Sequence, residues 1–234
     1  MAPRAYLRHD IPVLGPIGVA VNGISTTAVP AIGADFLRHG ILFFNPSATS
    51  VLRIAPAGVT LVSGAGGIKL NPLSYWAKYD SHGGAAEDDN AVVRLNCAWQ
   101  VVADAAGPFG LTIWNFTDAN PAVTNPPMPV APQNYDVDVV SPKGFNFTSL
   151  TTASAQILPA NPNRRGALWH NPGPQLKWIS PGNLAAVQGA GSIAILPAGE
   201  LEIRAFGKVR LNCAFNALTA NNADPSLTAL EYVG

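Results

Sequence analysis

The chain has 234 residues, of which 48% are hydrophobic and 12% charged, about half the charged share of an ordinary globular protein. Lys and Arg total 14 and Asp and Glu total 14, so the net charge is zero, and the basic excess that nucleic-acid binders use against phosphates is missing. The 22 glycines and 21 prolines favour many short strands over long helices, and no run approaches the roughly 18 apolar residues of a membrane span.

Residues 1–23 read MAPRAYLRHDIPVLGPIGVAVNG. Asp10, Pro12 and Pro16 interrupt the apolar run that a signal peptide needs, so the chain is expected to be made and folded in a cytoplasm. Cys97 and Cys213 are then expected to be thiols. The segment has no core of its own and reads as an N-terminal arm.

Beyond the arm the sequence repeats itself. RHGILFFNP (38–46) returns as RRGALWHNP (164–172), GAGGIKLNP (64–72) as GAGSIAILP (189–197), and VVRLNCAW (92–99) as KVRLNCAF (208–215). The blocks keep their order at offsets of 126, 125 and 116, so the first copy carries about nine extra residues within 77–90. Two copies of one domain are expected, over 24–116 and 149–234. A unit of ~90 residues folds but is marginal alone.

The first block predicts a strand over ILFF (41–44) that stops at Asn45-Pro46, and VLRIA (51–55) and LKWIS (176–180) predict the next one. Gly64, Gly66, Gly189 and Gly191 are expected to supply positive φ in a hairpin connection. A phosphate-cradling loop would lead into a helix, whereas here a strand-like run follows. Pro46, Pro72, Pro172 and Pro197 mark strand ends. In the third block Val93, Leu95, Cys97, Trp99 and Val101 alternate with Arg94, Asn96, Ala98 and Gln100, the period of a half-buried strand. In the second copy Val209, Leu211, Cys213 and Phe215 do the same. Short strands at this spacing predict an all-β fold of two tandem antiparallel domains, sandwich-like or jelly-roll-like, with strand order left open. Between them residues 117–148 hold six prolines over 121–142 and read as a linker, in which NYDVDVV is a possible strand.

The chemistry-bearing residues do not form a recognisable site. His9, His39, His82 and His170 have no metal-ligand spacing. Cys97 and Cys213 stand at equivalent inward positions, where a small buried hydrophobe is favoured over a catalytic thiol. The run Glu87-Asp88-Asp89-Asn90 lacks the spacing of a calcium loop and reads as solvated. Asp136 and Asp138 share a strand face, with no second carboxylate identified across a cleft. A duplicated active site would repeat its acids or histidines, yet what repeats is Arg, Gly, Leu, Asn, Pro and Cys. Arg38, Arg164, Arg94 and Arg210 read as interface or sheet-face ion-pair residues, the sheet face being favoured. Trp76, Trp99, Trp114, Trp169 and Trp178 are read as core in preference to a sugar-binding face. No enzyme activity, cofactor or metal is expected.

The stretch from Arg164 to Glu200, R-x-G-x-L-x-x-N-P followed by G-x-G-S-I-x-I-L-P-x-G-E, resembles small all-β modules of tailed-bacteriophage virion proteins, including capsid decoration (cement) proteins. The first copy departs at Asn71-Pro72, where the acidic stop is absent. The resemblance covers about 40 residues per copy and brings no catalytic residue with it. It implies a structural decoration protein on the outside of a phage head, with the major capsid protein as partner, homotrimeric assembly, and neither nucleic acid nor membrane involved. The arm residues Arg4, Tyr6, Leu7, Arg8, Ile11 and Val13 would then bind neighbouring subunits. The alternative is a fibre or baseplate module that binds host surface glycan through exposed aromatics.

Overall fold

The apolar run Ile41–Phe44 lies at the end of a strand, and the structure shows why it does not alternate. A computed structural model of the chain describes residues 13–35, 38–79, 97–118, 141–204 and 211–233. The first domain contains β1 (Val13–Ile24), β2 (Val29–Ile32), β3 (Arg38–Phe44), β4 (Leu52–Pro56), β5 (Ile68–Leu70), β6 (Tyr75–Tyr79), β7 (Trp99–Ala103) and β8 (Phe109–Asp118). The second contains β9 (Ser141–Phe147), β10 (Ala155–Leu158), β11 (Arg164–His170), β12 (Lys177–Pro181), β13 (Ile193–Ile195), β14 (Glu200–Arg204), β15 (Phe215–Thr219) and β16 (Leu227–Val233). The described residues include no helix.

Each domain is a pair of four-stranded antiparallel sheets. The first has the orders β1-β8-β3-β6 and β2-β7-β4-β5. The second has β9-β16-β11-β14 and β10-β15-β12-β13, the same orders with every strand number raised by eight. Pairing strand one with eight, two with seven, three with six and four with five, distributed between two sheets, is the jelly-roll topology. The strand order left open by the sequence is therefore settled, and the fold is two tandem jelly rolls.

Both domain boundaries shift from their sequence-based positions. Residues 13–23, assigned to the arm, belong to β1, which pairs with β8 from Val13↔Asp118 to Ile24↔Phe109. Residues 141–147, assigned to the linker, form β9, which pairs with β16 over its whole length. Pro16, Pro30 and Pro142 lie inside strands, but in β1, β2 and β9, which are all edge strands. There a missing N–H removes no ladder bond, and the register slips beside Pro16 and Pro30. The possible strand NYDVDVV lies outside the described residues, as do the acidic run 87–90 and residues 91–96 and 205–210. Strands β7 and β15 start only at Trp99 and Phe215, and Cys97 and Cys213 precede them, half-buried and unbridged.

Alternation sorts the core. Ile41, Phe43, Leu111 and Ile113 point into the first jelly roll with Leu52, Ile54, Trp99 and Val101. Their neighbours Leu42, Phe44, Trp114 and Phe116 point out of it and join the core of the second domain. Strands β3 and β8 are thus apolar on both faces because both faces are buried.

The Asn of the repeated pairs Asn45-Pro46 and Asn171-Pro172 fastens a turn to the opposite sheet. Asn45 is fully buried, and its Nδ2 donates to the carbonyls of Ser50 (2.8 Å), Leu70 (3.1 Å) and Asn71 (3.1 Å). Asn171, equally buried, donates to Gln175 (2.7 Å), Ile195 (3.2 Å) and Leu196 (3.1 Å). Replacing either Asn by Ala strands these carbonyls in a dry site, so Asn45→Ala and Asn171→Ala should each lower the unfolding free energy by about 1–3 kcal/mol in urea titrations.

Candidate assembly interface

Arg38 and Arg164 are buried cross-links rather than the exposed sheet-face or interface residues expected from the sequence, while Arg94 and Arg210 lie outside the described residues. Arg164 is fully buried and Arg38 is 4% exposed. Arg164 donates from Nε to Glu231 Oε1 (2.7 Å), from Nη1 to the carbonyls of Leu211 (3.1 Å) and Cys213 (2.5 Å), and from Nη2 to the carbonyl of Pro159 (2.6 Å). Arg38 donates from Nε to Asn115 Oδ1 (2.7 Å), from Nη1 to the Cys97 carbonyl (2.8 Å) and from Nη2 to the Gly33 carbonyl (2.7 Å). One planar fork thus ties together a loop, a strand of one sheet and the approach to a strand of the other. The repeated cysteines matter here through their carbonyls. Burial also pushes the Cys213 thiol up to about 12, so it is a neutral group and not a nucleophile.

The two arginines are compensated differently. Glu231 forms an ion pair with Arg164 at 2.7 Å. Its counterpart in the first domain is Asn115, which passes a hydrogen bond on to Asp35 Oδ2 at 3.1 Å. Burial lowers the Arg38 pKa, and the charge of Asp35 opposes that shift.

A second difference sits where β4 and β12 correspond. Leu52 of the first copy becomes Lys177, which is fully buried. Its Nζ donates to Thr219 Oγ1 (3.1 Å), to Asp224 Oδ2 (2.9 Å) and to the Asp224 carbonyl. Asp224 also accepts from the Ser226 hydroxyl (2.6 Å), and these donors, Ser226 before Lys177, hold its carboxyl at about 2. Gly173 makes room for the pair, since a Cβ there would lie 1.6 Å from Asp224 Oδ2. The sequence reading passed over this pair, although a lysine in register with a buried leucine of the other copy was a visible signal. Because the folded state favours the ionised carboxylate, its contribution is complete above the ordinary carboxylate range and is lost as the pH falls toward 2. Urea unfolding at stepped pH should show stability falling between about pH 4 and pH 2. Asp224→Asn, which leaves the Lys177 ammonium buried without its counter-charge, should cost about 3–5 kcal/mol at neutral pH.

The two jelly rolls share a buried surface. The outward face of β3 and β8 packs on the sheet containing β12 and β15, with Phe44 edge-on to Trp178 (centroids 6.4 Å apart) and Trp114 against Phe215 (5.9 Å). The β12–β13 connection of the second domain also reaches back over edge strand β1. The Asn183 amide accepts from Gly18 N–H at 2.9 Å and donates to the Gly18 carbonyl at 3.0 Å. Thr112 Oγ1 accepts from Gly191 N–H and donates to the Ser192 carbonyl, both at 2.8 Å. The predicted turn glycines have positive φ, 80° at Gly64, 77° at Gly66, 144° at Gly189 and 105° at Gly191. A side chain added at Gly18 would meet Leu184 Cδ1 at 2.7 Å and Pro181 Cδ at 3.2 Å. The edge of β1 is thereby covered at Gly18, and a neutral groove of about 410 Å³ remains at the rim, lined by Asn22, Ser47, Phe109 and Ala190 among others.

Of the residues proposed for partner binding, Arg4, Tyr6, Leu7, Arg8 and Ile11 lie outside the described residues, and Val13 is the first residue of β1. His170 sits on the outer face of β11 with Nδ1 3.4 Å from Glu200 Oε1. The described residues contain no cluster of three or more potential metal ligands. Trp99, Trp114, Trp169 and Trp178 are buried, and Trp76 packs on Phe43 and Trp99. Gly18→Val, which forces Leu184 and Pro181 off β1, should destabilise the folded chain by about 1–3 kcal/mol in thermal or urea unfolding.

No protein-family model matches the sequence, and no curated protein does. The solved structures that are similar at a low level include these three. They are a chain of the lipid-containing bacteriophage PM2 (13% identity, 88% of this chain and 49% of that one, TM-score 0.27), the PBSX exported protein XepA (10%, 93% and 86%, 0.27) and the STIV MCP (11%, 94% and 96%, 0.24). This chain thus spans about half the length of the PM2 chain. The fold assignment rests on the strand order alone.

Proposed function

We propose that this chain is a structural protein of a tailed-phage virion. Its finer role is that of a decoration protein, which binds the outside of the head, contacts the major capsid protein and stabilises capsomer junctions. The observation that carries the reading is the interlocked pair of jelly rolls. The jelly roll is a topology shared by viral capsid, lectin and cupin domains. Here two of them are locked by a shared core and the Asn183 clamp. Arg164 with Glu231, and Lys177 with Asp224, are buried in each other's hydrogen bonds and serve the fold. Such a unit carries load and presents surface, which is what a non-enzymatic shell component does. The charge-poor composition and the resemblance of residues 164–200 to virion modules agree with it. A trimer is the assembly favoured by that resemblance.

The glycan-binding alternative called for exposed aromatics in a shallow groove. The tryptophans pack in the cores, and Phe109 is the aromatic side chain lining the interdomain groove.

The test is co-sedimentation of the purified chain with undecorated capsids at physiological salt. Saturable binding that raises the temperature of capsid disruption is expected, and a chain that stays in the supernatant sinks the reading. Because β1 starts at Val13, the informative deletion is residues 1–12. It should weaken capsid binding while leaving the melting temperature unchanged.

A further inference from the structure

The contact between the two domains uses parts that both copies possess, so the unused set can be read off by register. Gly18 stands opposite Trp114 in β1–β8, and Gly144 stands opposite Leu230, at the same place in β9–β16. Thr112 stands opposite Phe44, and Thr228 stands opposite His170. On the other side, the turn that presents Leu184 is duplicated in the turn that presents Val59. Leu184 N–H bonds Pro181 O at 2.9 Å and Val59 N–H bonds Pro56 O at 3.2 Å, while Gly182 N–H and Ala57 N–H bond Ala214 O and Ala98 O, both at 2.7 Å. Gly191-Ser192 corresponds to Gly66-Gly67.

Within the chain, one set of these parts is engaged. Leu184 sits over Gly18, and Thr112 is bonded to Gly191 and Ser192. The other set faces outward. Val59 is 47% exposed, and Gly66, Gly67 and Gly144 are exposed. A Cβ on Gly144 would meet only Leu230 Cδ2, at an ordinary 3.6 Å. Gly144 is not among the glycines with positive φ. Nothing within the described chain therefore requires glycine at 144, although the equivalent Gly18 is required by the loop that covers it.

The facing side chains changed as a set. Trp178 and Ala194, paired across β12–β13, correspond to Arg53 and Lys69, paired across β4–β5. Phe44 and Tyr75, paired across β3–β6, correspond to His170 and Glu200, paired across β11–β14, with Glu202 exposed on the same face. An aromatic contact inside one chain thus has as its counterpart Arg53, ion-paired with Asp104 at 2.7 Å, and the exposed Lys69 on the first domain, and an acidic face with Glu200 and Glu202 on the second. That exchange suits a contact between chains that must stay soluble while apart.

We propose that the β4–β5 connection of the first domain, led by Val59, docks over the β9 edge at Gly144 of the second domain in another copy of this chain, repeating between chains the contact that Leu184 and Gly18 make within one. Val59 is smaller than Leu184, and Gly58 stands where Asn183 supplies the amide clamp. The contact between chains is therefore weaker than the one within. Donor and acceptor lie on different domains, so the association is head-to-tail and continues until a ring closes. The inference concerns self-association and holds or fails independently of any capsid.

The experiment is sedimentation velocity of the full chain alone, comparing wild type with Gly144→Val and Val59→Asp. Both positions are exposed, and a valine suits strand β9, so circular dichroism and melting temperature should match wild type. Wild type should sediment above monomer mass and dissociate as salt is raised. Each variant should be monomeric. An equimolar mixture of the two retains one intact donor and one intact acceptor, so it should form a heterodimer and grow no further. A wild type that is monomeric at every concentration, an oligomer that survives both substitutions, or a mixture that stays monomeric would each overturn the proposal. If either variant proves misfolded, Lys69→Glu and Glu200→Lys serve instead. Each alone should weaken assembly, and their combination in one chain should restore it; no recovery would overturn the contact. Failure to bind capsids would leave these outcomes unchanged.

Discussion

Leu42, Phe44, Trp114 and Phe116 form an apolar face on the outside of a complete jelly roll. Left in water, that face would expose four large side chains, each worth roughly 1.5–3 kcal/mol on burial. The second domain covers it, and much else follows from that need. Strand β12 is buried from end to end. The β12–β13 loop leans onto β1, and Gly18 and Gly110 have no side chain because Leu184 and Ala190 occupy the space. The duplication therefore produced two unlike domains, one donating an outer sheet face and the other donating the sheet and loop that cover it.

Inside each domain the cross-linking is polar. Jelly-roll sheets meet through apolar side chains that have no directional preference, so the register between sheets needs other restraints. The Arg38 and Arg164 forks and the Asn45 and Asn171 amides supply them, each donating to carbonyls of segments far apart in sequence. Because the acceptors are backbone carbonyls, neighbouring side chains can drift while the bond persists. The acceptor of Nε, by contrast, is a side chain, and there the copies differ, Asn115 against Glu231.

How much of this was legible depended on whether a residue's role was local. The strand ILFF, the Asn-Pro stop and the turn glycines were readable because alternation, proline and positive φ act within a few residues. The arm and linker boundaries were misplaced because GPIGVAVNG and SPKGFNF carry proline and glycine, which read as coil. Both segments become strands because an edge position tolerates proline and because β8 and β16 offer them a ladder.

The sequence alone determined the duplication, the all-β class, the positions of the turns and the core character of the tryptophans, since each of these is written in spacing and composition. Only the tertiary structure decided that Arg38 and Arg164 are buried, that Lys177 pairs with Asp224, and that one outer face is internal while its twin presents the exposed Gly144, Glu200 and Glu202. These depend on which distant segments meet. RHG and RRG look alike as strings, and so do Gly18 and Gly144 as residues. What separates them is the second jelly roll, which covers one copy of the surface and leaves the other in water.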